Sequence, residues 1–182
     1  MKEKILDATL AVYSQKGLKF TMDDIAAYLS ISKKTIYKVF RDKDDMFLAM
    51  VDYVFDRIKE SEKAVLESEL DIKEKLKMLL GVMPENYKDI DFGQLYLLKD
   101  KYPDIYERVQ LRLESGWEET IALMEMGMEQ GVFRRVNIPI FKLTFSAALE
   151  QFFSRDFLKE NSISYNDALK AVTELLISGL EV

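Results

Sequence analysis

The chain has 182 residues, of which 48% are hydrophobic, so it is long enough and apolar enough to bury a core. Its formal charge of −6 argues against general binding to polyanions. Cysteine and histidine are both absent, which excludes disulfides, Cys/His zinc sites, cysteine nucleophiles and imidazole catalysis. We therefore expect no enzyme, no metal site and no cofactor.

Charged residues precede a mixed segment at the N-terminus, and no run of about eighteen apolar residues occurs. We therefore expect a soluble, cytoplasmic protein without an export signal. The charge is unevenly distributed: residues 1–43 carry nine Lys and Arg against five Asp and Glu, whereas residues 44–182 carry seventeen against twenty-seven. This asymmetry indicates that only the first part of the chain meets nucleic acid.

Three short helices are predicted at the start of the chain. Helical apolar spacing predicts a first helix that ends at Gly17 and a second helix over residues 22–29. Thr21 is the expected N-cap of the second helix, with Asp24 at the capping-box position. Ser32 is the expected N-cap of a third helix, which has one apolar and one basic face.

The fourth helix is predicted to run from this head into the rest of the chain. Asp42 is its expected N-cap, and its acidic first turn suits the helix dipole. Chain breakers divide the remainder into about five further helices, and they are Gly81, Pro84, Gly93, Pro103, Gly131 and Pro139. The predicted fold is all-α, with a helix-turn-helix domain at residues 1–45 and a helical domain at residues 46–182.

A single long helix is predicted between Val109 and Met128, because apolar residues follow one face throughout. Glu114 and Glu118 would then flank Trp117 on that helix, facing either a cationic ligand or water.

The turn at Ser30 and Ile31 separates two helices in the pattern of a helix-turn-helix. Short polar and basic side chains at the start of the second of these helices suit base edges, and donors at its rim suit phosphates. The same arrangement is also a common packing corner, and a lysine-rich face is often only solvated, so that alternative stays open. The candidate DNA-binding residues are Thr21, Lys33, Lys34, Thr35, Tyr37, Lys38 and Lys43.

The stretches ILDATLAVYSQKG and FTMDDIAAYLSISKKTIYKVFRDKDDMF resemble the DNA-binding domain of the tetracycline-repressor (TetR) family of bacterial one-component transcription regulators. The resemblance is specific over residues 5–50 and weak beyond them. It implies that some candidates position phosphates while others face bases: Thr21, Tyr37 and Lys43 in the first role, and Lys33, Lys34 and Thr35 in the second.

Three positions depart from the family pattern. Ser30 stands where the family commonly has Gly, so a positive φ must be adopted by Ser or avoided. Lys34 replaces a residue that is usually small, and Val39 stands where His is frequent. The base preference of relatives therefore cannot be transferred to this chain.

The resemblance also implies that the helical body binds a small molecule, and that the last two helices, at residues 140–158 and 165–180, form a homodimer. The residues themselves leave an alternative open for each expectation. The apolar surfaces of the last two helices could fill the core of a monomer instead of forming an interface. The Met and aromatic residues could be ordinary core residues instead of ligand contacts. The candidate ligand-binding residues are Met83, Tyr87, Phe92, Tyr96, Glu114, Trp117 and Met124.

The combined interpretation is a dimeric repressor that binds a palindromic operator and is released by a small apolar or amphipathic ligand. One alternative is a DNA-binding regulator that is controlled by a protein partner instead of a small ligand. Another is a helical ligand-binding or carboxylate-based catalytic bundle that does not bind DNA.

Overall fold

A computed structural model describes residues 1–81, 97–154 and 157–181. These residues are helical apart from turns, connecting segments and one isolated antiparallel bridge between Phe133 and Glu181. A short 3-10 turn, Gly17–Lys19, follows the first helix. The helices are α1 Lys2–Lys16, α2 Met22–Leu29, α3 Lys33–Tyr37, α4 Lys43–Leu66, α5 Ile72–Gly81, α6 Leu98–Lys101, α7 Pro103–Glu114, α8 Glu118–Glu129, α9 Ile138–Ser154, α10 Phe157–Glu160 and α11 Tyr165–Ser178.

The helices of the head begin where capping side chains predict. The Thr21 hydroxyl accepts from the Asp24 amide at 3.2 Å, and the Asp24 carboxylate accepts from the Thr21 amide at 2.8 Å, which completes the capping box. The Ser32 hydroxyl accepts from a backbone N–H in the first turn of α3, and the Asp42 carboxylate does the same in α4. Gly17 ends α1 with a φ of 56°. These predictions are confirmed.

The core of the head is an aromatic cluster between α1, the 3-10 turn and α4. Phe20 and Phe47 are fully buried and meet edge to face with ring centroids 5.5 Å apart. Tyr13 contacts both rings, at 6.4 and 5.5 Å. The cluster extends to Tyr102, whose ring lies 5.8 Å from that of Phe47. Because Tyr102 directly precedes α7, the aromatic cluster joins the head to the body.

The body packs around α4. Helices α5 and α7 lie against α4, α8 and α11 lie against α5, and α9 lies against α11. The chain end is held by the amide of Arg134, which donates to Leu180 at 2.9 Å, and by an ion pair between Lys73 and Glu181. Within the described residues, no helix is both long and apolar enough to cross a bilayer.

Helix α4 belongs to both parts of the molecule. It is continuous from Lys43 to Leu66, so the boundary that the sequence suggests between residues 45 and 46 falls inside its first turn. Its start is capped within the head, and its later turns contact α5 and α7. A displacement of α4 would therefore move both parts.

The prediction of one long helix between Val109 and Met128 is wrong. The chain breaks at Ser115 to Trp117, where Gly116 adopts a φ of 72°, and two helices meet at this corner. Glu114 ends α7 and Glu118 begins α8, so they do not share one helix. Apolar spacing stays in phase across the break, which is why periodicity alone did not reveal it.

Candidate nucleic-acid interface and effector cavity

The turn before α3 contains a residue with a positive φ. Ser30 lies in the left-handed region, with φ 54° and ψ 40°, so it adopts the positive φ for which Gly is better suited. Ile36 is fully buried beneath α3, whereas Lys33, Lys34, Tyr37 and Lys38 are exposed. The buried contact fixes the helix on the head and leaves its basic face toward solvent.

The base-facing candidates differ in their present contacts. The Lys33 ammonium lies 2.9 Å from the carboxylate of Asp23 on α2, and this hydrogen bond raises the pKa of Lys33. Thr35 is half-buried, and its hydroxyl lies 3.0 Å from that of Ser32. Lys34 is exposed and belongs to no ion pair within the described residues. Lys34 can therefore reach DNA without breaking a contact, whereas Lys33 would exchange Asp23 for its new partner.

The phosphate candidates lie at the edges of α2, α3 and α4. The Thr21 hydroxyl donates to Asp24 at 2.9 Å, and Tyr37 and Lys38 are exposed. The Lys43 ammonium donates to the Leu18 carbonyl at 2.9 Å and lies 4.2 Å from the centroid of the Phe20 ring. Lys43 thus braces the start of α4 against the 3-10 turn, and a phosphate would bind to its remaining N–H groups.

A cavity of about 160 Å³ lies behind the head. Helix α4 lines it from Phe47 to Glu62, which at 1.5 Å per residue corresponds to roughly 22 Å of helix. At the head end the wall consists of apolar and aromatic side chains, including Leu10, Tyr13 and Met50. The cavity therefore contacts the head directly through α1 and the start of α4.

The far end of the cavity is polar and lies at the corner between α7 and α8. The Lys59 ammonium contacts the Glu62 carboxylate and the Gly116 carbonyl oxygen, both at 2.5 Å. Burial raises the pKa of Glu62, the hydrogen bond and charge of Lys59 oppose that rise, and nearby Glu119 adds to it. The cavity thus has an apolar end at the head and a charged end at the corner.

The sequence candidates for the ligand site fall at different places. Trp117 lines the cavity, and its ring meets Phe145 edge to face at 5.7 Å. Met124 is buried in the core outside the cavity wall, and Glu114 lies on an outer groove between α8 and α9. The remaining candidates, Met83, Tyr87, Phe92 and Tyr96, lie outside the described residues.

Sequence reasoning did not find the charged wall residues. Lys59 and Glu62 stand three residues apart on α4, a spacing that usually marks a solvated ion pair. Arg112 also lines the cavity and reaches back to Asp56 on α4 at 2.6 Å. The Ser115–Gly116 dipeptide was the available signal, because Ser-Gly is a turn marker within an otherwise helical pattern.

Comparison with known proteins agrees with the helix-turn-helix arrangement of the head and with the all-α fold. Residues 5–50 match the family model described as bacterial regulatory proteins of the tetR family. The chain is 26% identical over 181 residues to YvaF, an uncharacterized HTH-type transcriptional regulator of Bacillus subtilis, with 99% of this chain and 95% of YvaF covered. The head of the chain, residues 5–50, thus resembles the DNA-binding domain of TetR-family regulators.

Solved structures share the fold of this chain. A TetR-family regulator from Cytophaga hutchinsonii superposes with a TM-score of 0.74 at 20% identity, covering 100% of this chain and 94% of that one. FadR of Bacillus subtilis, solved in complex with stearoyl-CoA, superposes with a TM-score of 0.60 at 17% identity, covering all of both chains. The resemblance in the head and the all-α fold are confirmed.

Proposed function

We propose that this chain is a cytoplasmic, dimeric repressor that binds a palindromic operator and releases it when an amphipathic ligand occupies the cavity behind the head. The observation that carries the proposal is the position of Phe47 on α4. Its ring belongs to the aromatic core of the head and to the cavity wall. A ligand that moves this ring moves the head.

The DNA side of the proposal rests on the exposed face of α3. Lys33, Lys34 and Thr35 lie at its start, where base edges in the major groove come within reach, and Thr21, Tyr37, Lys38 and Lys43 lie at its rim, where they would contact phosphates. The lysines supply the salt-dependent affinity, and the side chains at the helix start supply sequence preference.

The dimer side rests on exposed apolar side chains of α9 and α11. Leu143 on α9 is 63% exposed and Leu175 on α11 is 74% exposed, and the two helices pack against each other. Burying these side chains against a second copy stabilises association. A two-fold dimer would place two copies of α3 about 34–36 Å apart, which matches one turn of DNA.

The ligand side rests on the size and lining of the cavity. Its volume of about 160 Å³ is close to that of an engineered apolar cavity that binds benzene, and it is smaller than most ligand sites. A larger ligand must therefore displace wall residues, and α4 supplies much of the wall. FadR, which shares the fold and was solved with stearoyl-CoA, supports a ligand with a long apolar part.

The proposal is tested first on DNA. Sites selected from random duplexes by the full chain should contain two inverted half-sites, with binding that weakens as salt rises. Lys43→Ala should weaken binding to all sequences alike and lower the salt slope by about one, whereas Thr35→Ala should change the preferred base and keep the slope. Unchanged affinity and preference in both variants would contradict the assignment of the head residues.

A further inference from the structure

We propose that the cavity selects amphipathic ligands that carry a positively charged nitrogen, which binds to Glu62 and to the Gly116 carbonyl at the position that the Lys59 ammonium occupies. The inference rests on the proposed function, because it assigns a ligand class to the same cavity. The observation that motivates it is the convergence of two acceptors, from two different elements, on one ammonium.

The Lys59 ammonium shows where a cation is held by two oxygen atoms of the cavity wall. Glu62 belongs to α4, and Gly116 belongs to the corner between α7 and α8, yet both oxygens lie 2.5 Å from the same nitrogen. Both residues line the cavity wall. A ligand ammonium placed there would donate a charge-assisted hydrogen bond to each of these oxygens while its apolar part extended toward the head.

Lys59 is easier to displace than Glu62. The side chain of Lys59 is 40% exposed, whereas that of Glu62 is only 15% exposed. A lysine can turn its ammonium into water on a flexible stem, but a half-buried carboxylate cannot regain its hydration without moving the helix. Removal of Lys59 therefore leaves a desolvated anion that favours a replacement cation.

The polar end of the cavity would disfavour an anionic ligand. To reach Lys59 it would have to separate that ammonium from Glu62, which would leave the Glu62 carboxylate buried beside the new negative charge and near Glu119. Among the described wall residues the other cation is Arg112, and its guanidinium already lies 2.6 Å from Asp56 and 3.6 Å from Asp52. The electrostatics of the polar end therefore favour cations.

Aromatic rings line the cavity near its polar end. Trp117 and Phe145 line the cavity beside the corner, and Phe55 lines it from α4. The Trp117 ring already has a cation nearby, because the Lys142 ammonium lies 5.6 Å from its centroid. The rings therefore supply apolar wall for the ligand, and the two acceptors supply the preference for an ammonium group.

The test uses the full chain and three probes of equal chain length below their micellar concentrations: decylamine, decanol and decanoate. Trp117 is the chain's only tryptophan and lies in the cavity wall, so its fluorescence reports binding. Decylamine is expected to bind at least about tenfold more tightly than decanol, because it adds a hydrogen bond to a charged group. Decanoate is expected to bind more weakly than decylamine.

Three variants separate the charge from the fold. Glu62→Gln should abolish the preference for decylamine and leave decanol affinity within about twofold, since a neutral amide keeps the shape. Lys59→Met removes the ammonium that competes with the ligand for Glu62, so it should strengthen decylamine binding. If Lys59 instead bound the carboxylate of an anionic ligand, the same variant would bind decanoate more weakly. Glu60→Gln, an exposed site on the same helix, is the matched control and should change nothing. Thermal unfolding of each variant checks that it folds.

Each outcome decides a different claim. A preference for decanoate, or a decylamine preference that survives Glu62→Gln, would overturn the cation site. Equal binding of all three probes with release of DNA would also overturn it but would support the proposed ligand-controlled function. No binding of any probe would contradict both, and decylamine binding without DNA release would support the cation site while contradicting the release mechanism.

Discussion

The rings of Tyr13 and Phe47 lie with their centroids 5.5 Å apart, and both rings line the cavity behind the DNA-binding head. Tyr13 is on α1 and Phe47 is on α4, so the contact joins α4 to the helix against which α2 packs. Any ligand that reaches this end of the cavity touches the head itself. Coupling between ligand and DNA therefore needs no long chain of intermediate contacts.

Replacing Ser30 with Gly should stabilise the protein. Ser30 adopts a φ of 54°, a conformation that costs a non-glycine residue about 1–2 kcal/mol. Glycine removes that cost but gains freedom in the unfolded chain, so the net gain in the free energy of unfolding should be up to about 1 kcal/mol. Urea unfolding measures it, and Ser162→Gly, at a φ of 55°, should give a similar gain. A loss of stability at Ser30 would contradict this account of the turn.

The capping box should make the head sensitive to acid. Hydrogen bonds from the Lys16 side chain and from Thr21 hold the pKa of Asp24 below its ordinary value. A lowered folded pKa means that this stabilisation is complete above the ordinary aspartate value of about 3.9 and is lost as the pH falls through the folded value. Urea midpoints at pH 7 and pH 3 should therefore differ less in Asp24→Asn than in the parent.

The control for that measurement is Glu107→Gln, an exposed change on α7. It should leave the dependence of the urea midpoint on pH as it is in the parent. An Asp24→Asn variant with the parental pH dependence would show that the capping box does not contribute to acid sensitivity.

The corner at Gly116 should tolerate a side chain less well than a similar glycine elsewhere. Gly116 and Gly131 have nearly equal φ values of 72° and 71°, but a Cβ on Gly116 would lie 2.6 Å from Cε of Lys59, whereas nothing lies within 4 Å at Gly131. Gly131→Ala should cost about 1 kcal/mol from the backbone alone. Gly116→Ala should cost slightly more, because its Cβ displaces the flexible end of Lys59 and breaks the Lys59 contacts, and the excess should disappear in a Lys59→Ala background.

Unfolding measured in that double-mutant cycle decides whether Lys59 is packed against the corner. An excess cost at Gly116 that persists in the Lys59→Ala background would contradict the contact between Lys59 and the corner.

The dimer should dissociate when charge is placed on its predicted interface. Leu175→Glu puts like charges near each other across a two-fold axis and removes apolar surface from the interface. The dissociation constant measured by analytical ultracentrifugation should rise at least about tenfold, which corresponds to a loss of about 1.4 kcal/mol. Leu111→Glu, an exposed position on α7, should leave it unchanged. A monomeric parent would contradict the dimer.

The sequence predicted the head more accurately than the body, and the reason is physical. Thr21, Ser32 and Asp42 cap helices through contacts three residues away, so the information is local. At Ser30 the family resemblance left open whether a positive φ is adopted or avoided, and the structure shows that it is adopted. Helix boundaries in the head therefore follow from short stretches of sequence.

The cavity could not be predicted in the same way, because its wall combines residues that are far apart in the chain. Lys59 contacts Gly116, which lies 57 positions away in the chain, and the sequence around either residue does not predict this contact. Trp117 was predicted as a wall residue because of its type, but the break that places it beside the cavity interrupts a regular apolar pattern. Tertiary packing decided which apolar residues form core and which form a wall.

The central claim is that occupancy of the cavity lowers the affinity for DNA, and one reciprocal titration tests it most directly. The dissociation constant for a selected operator is measured by fluorescence anisotropy with and without saturating decylamine, and that for decylamine by Trp117 fluorescence with and without the operator. The account predicts that both constants rise by the same factor, of about 5- to 150-fold. Tight decylamine binding at Trp117 with an unchanged operator affinity would contradict it.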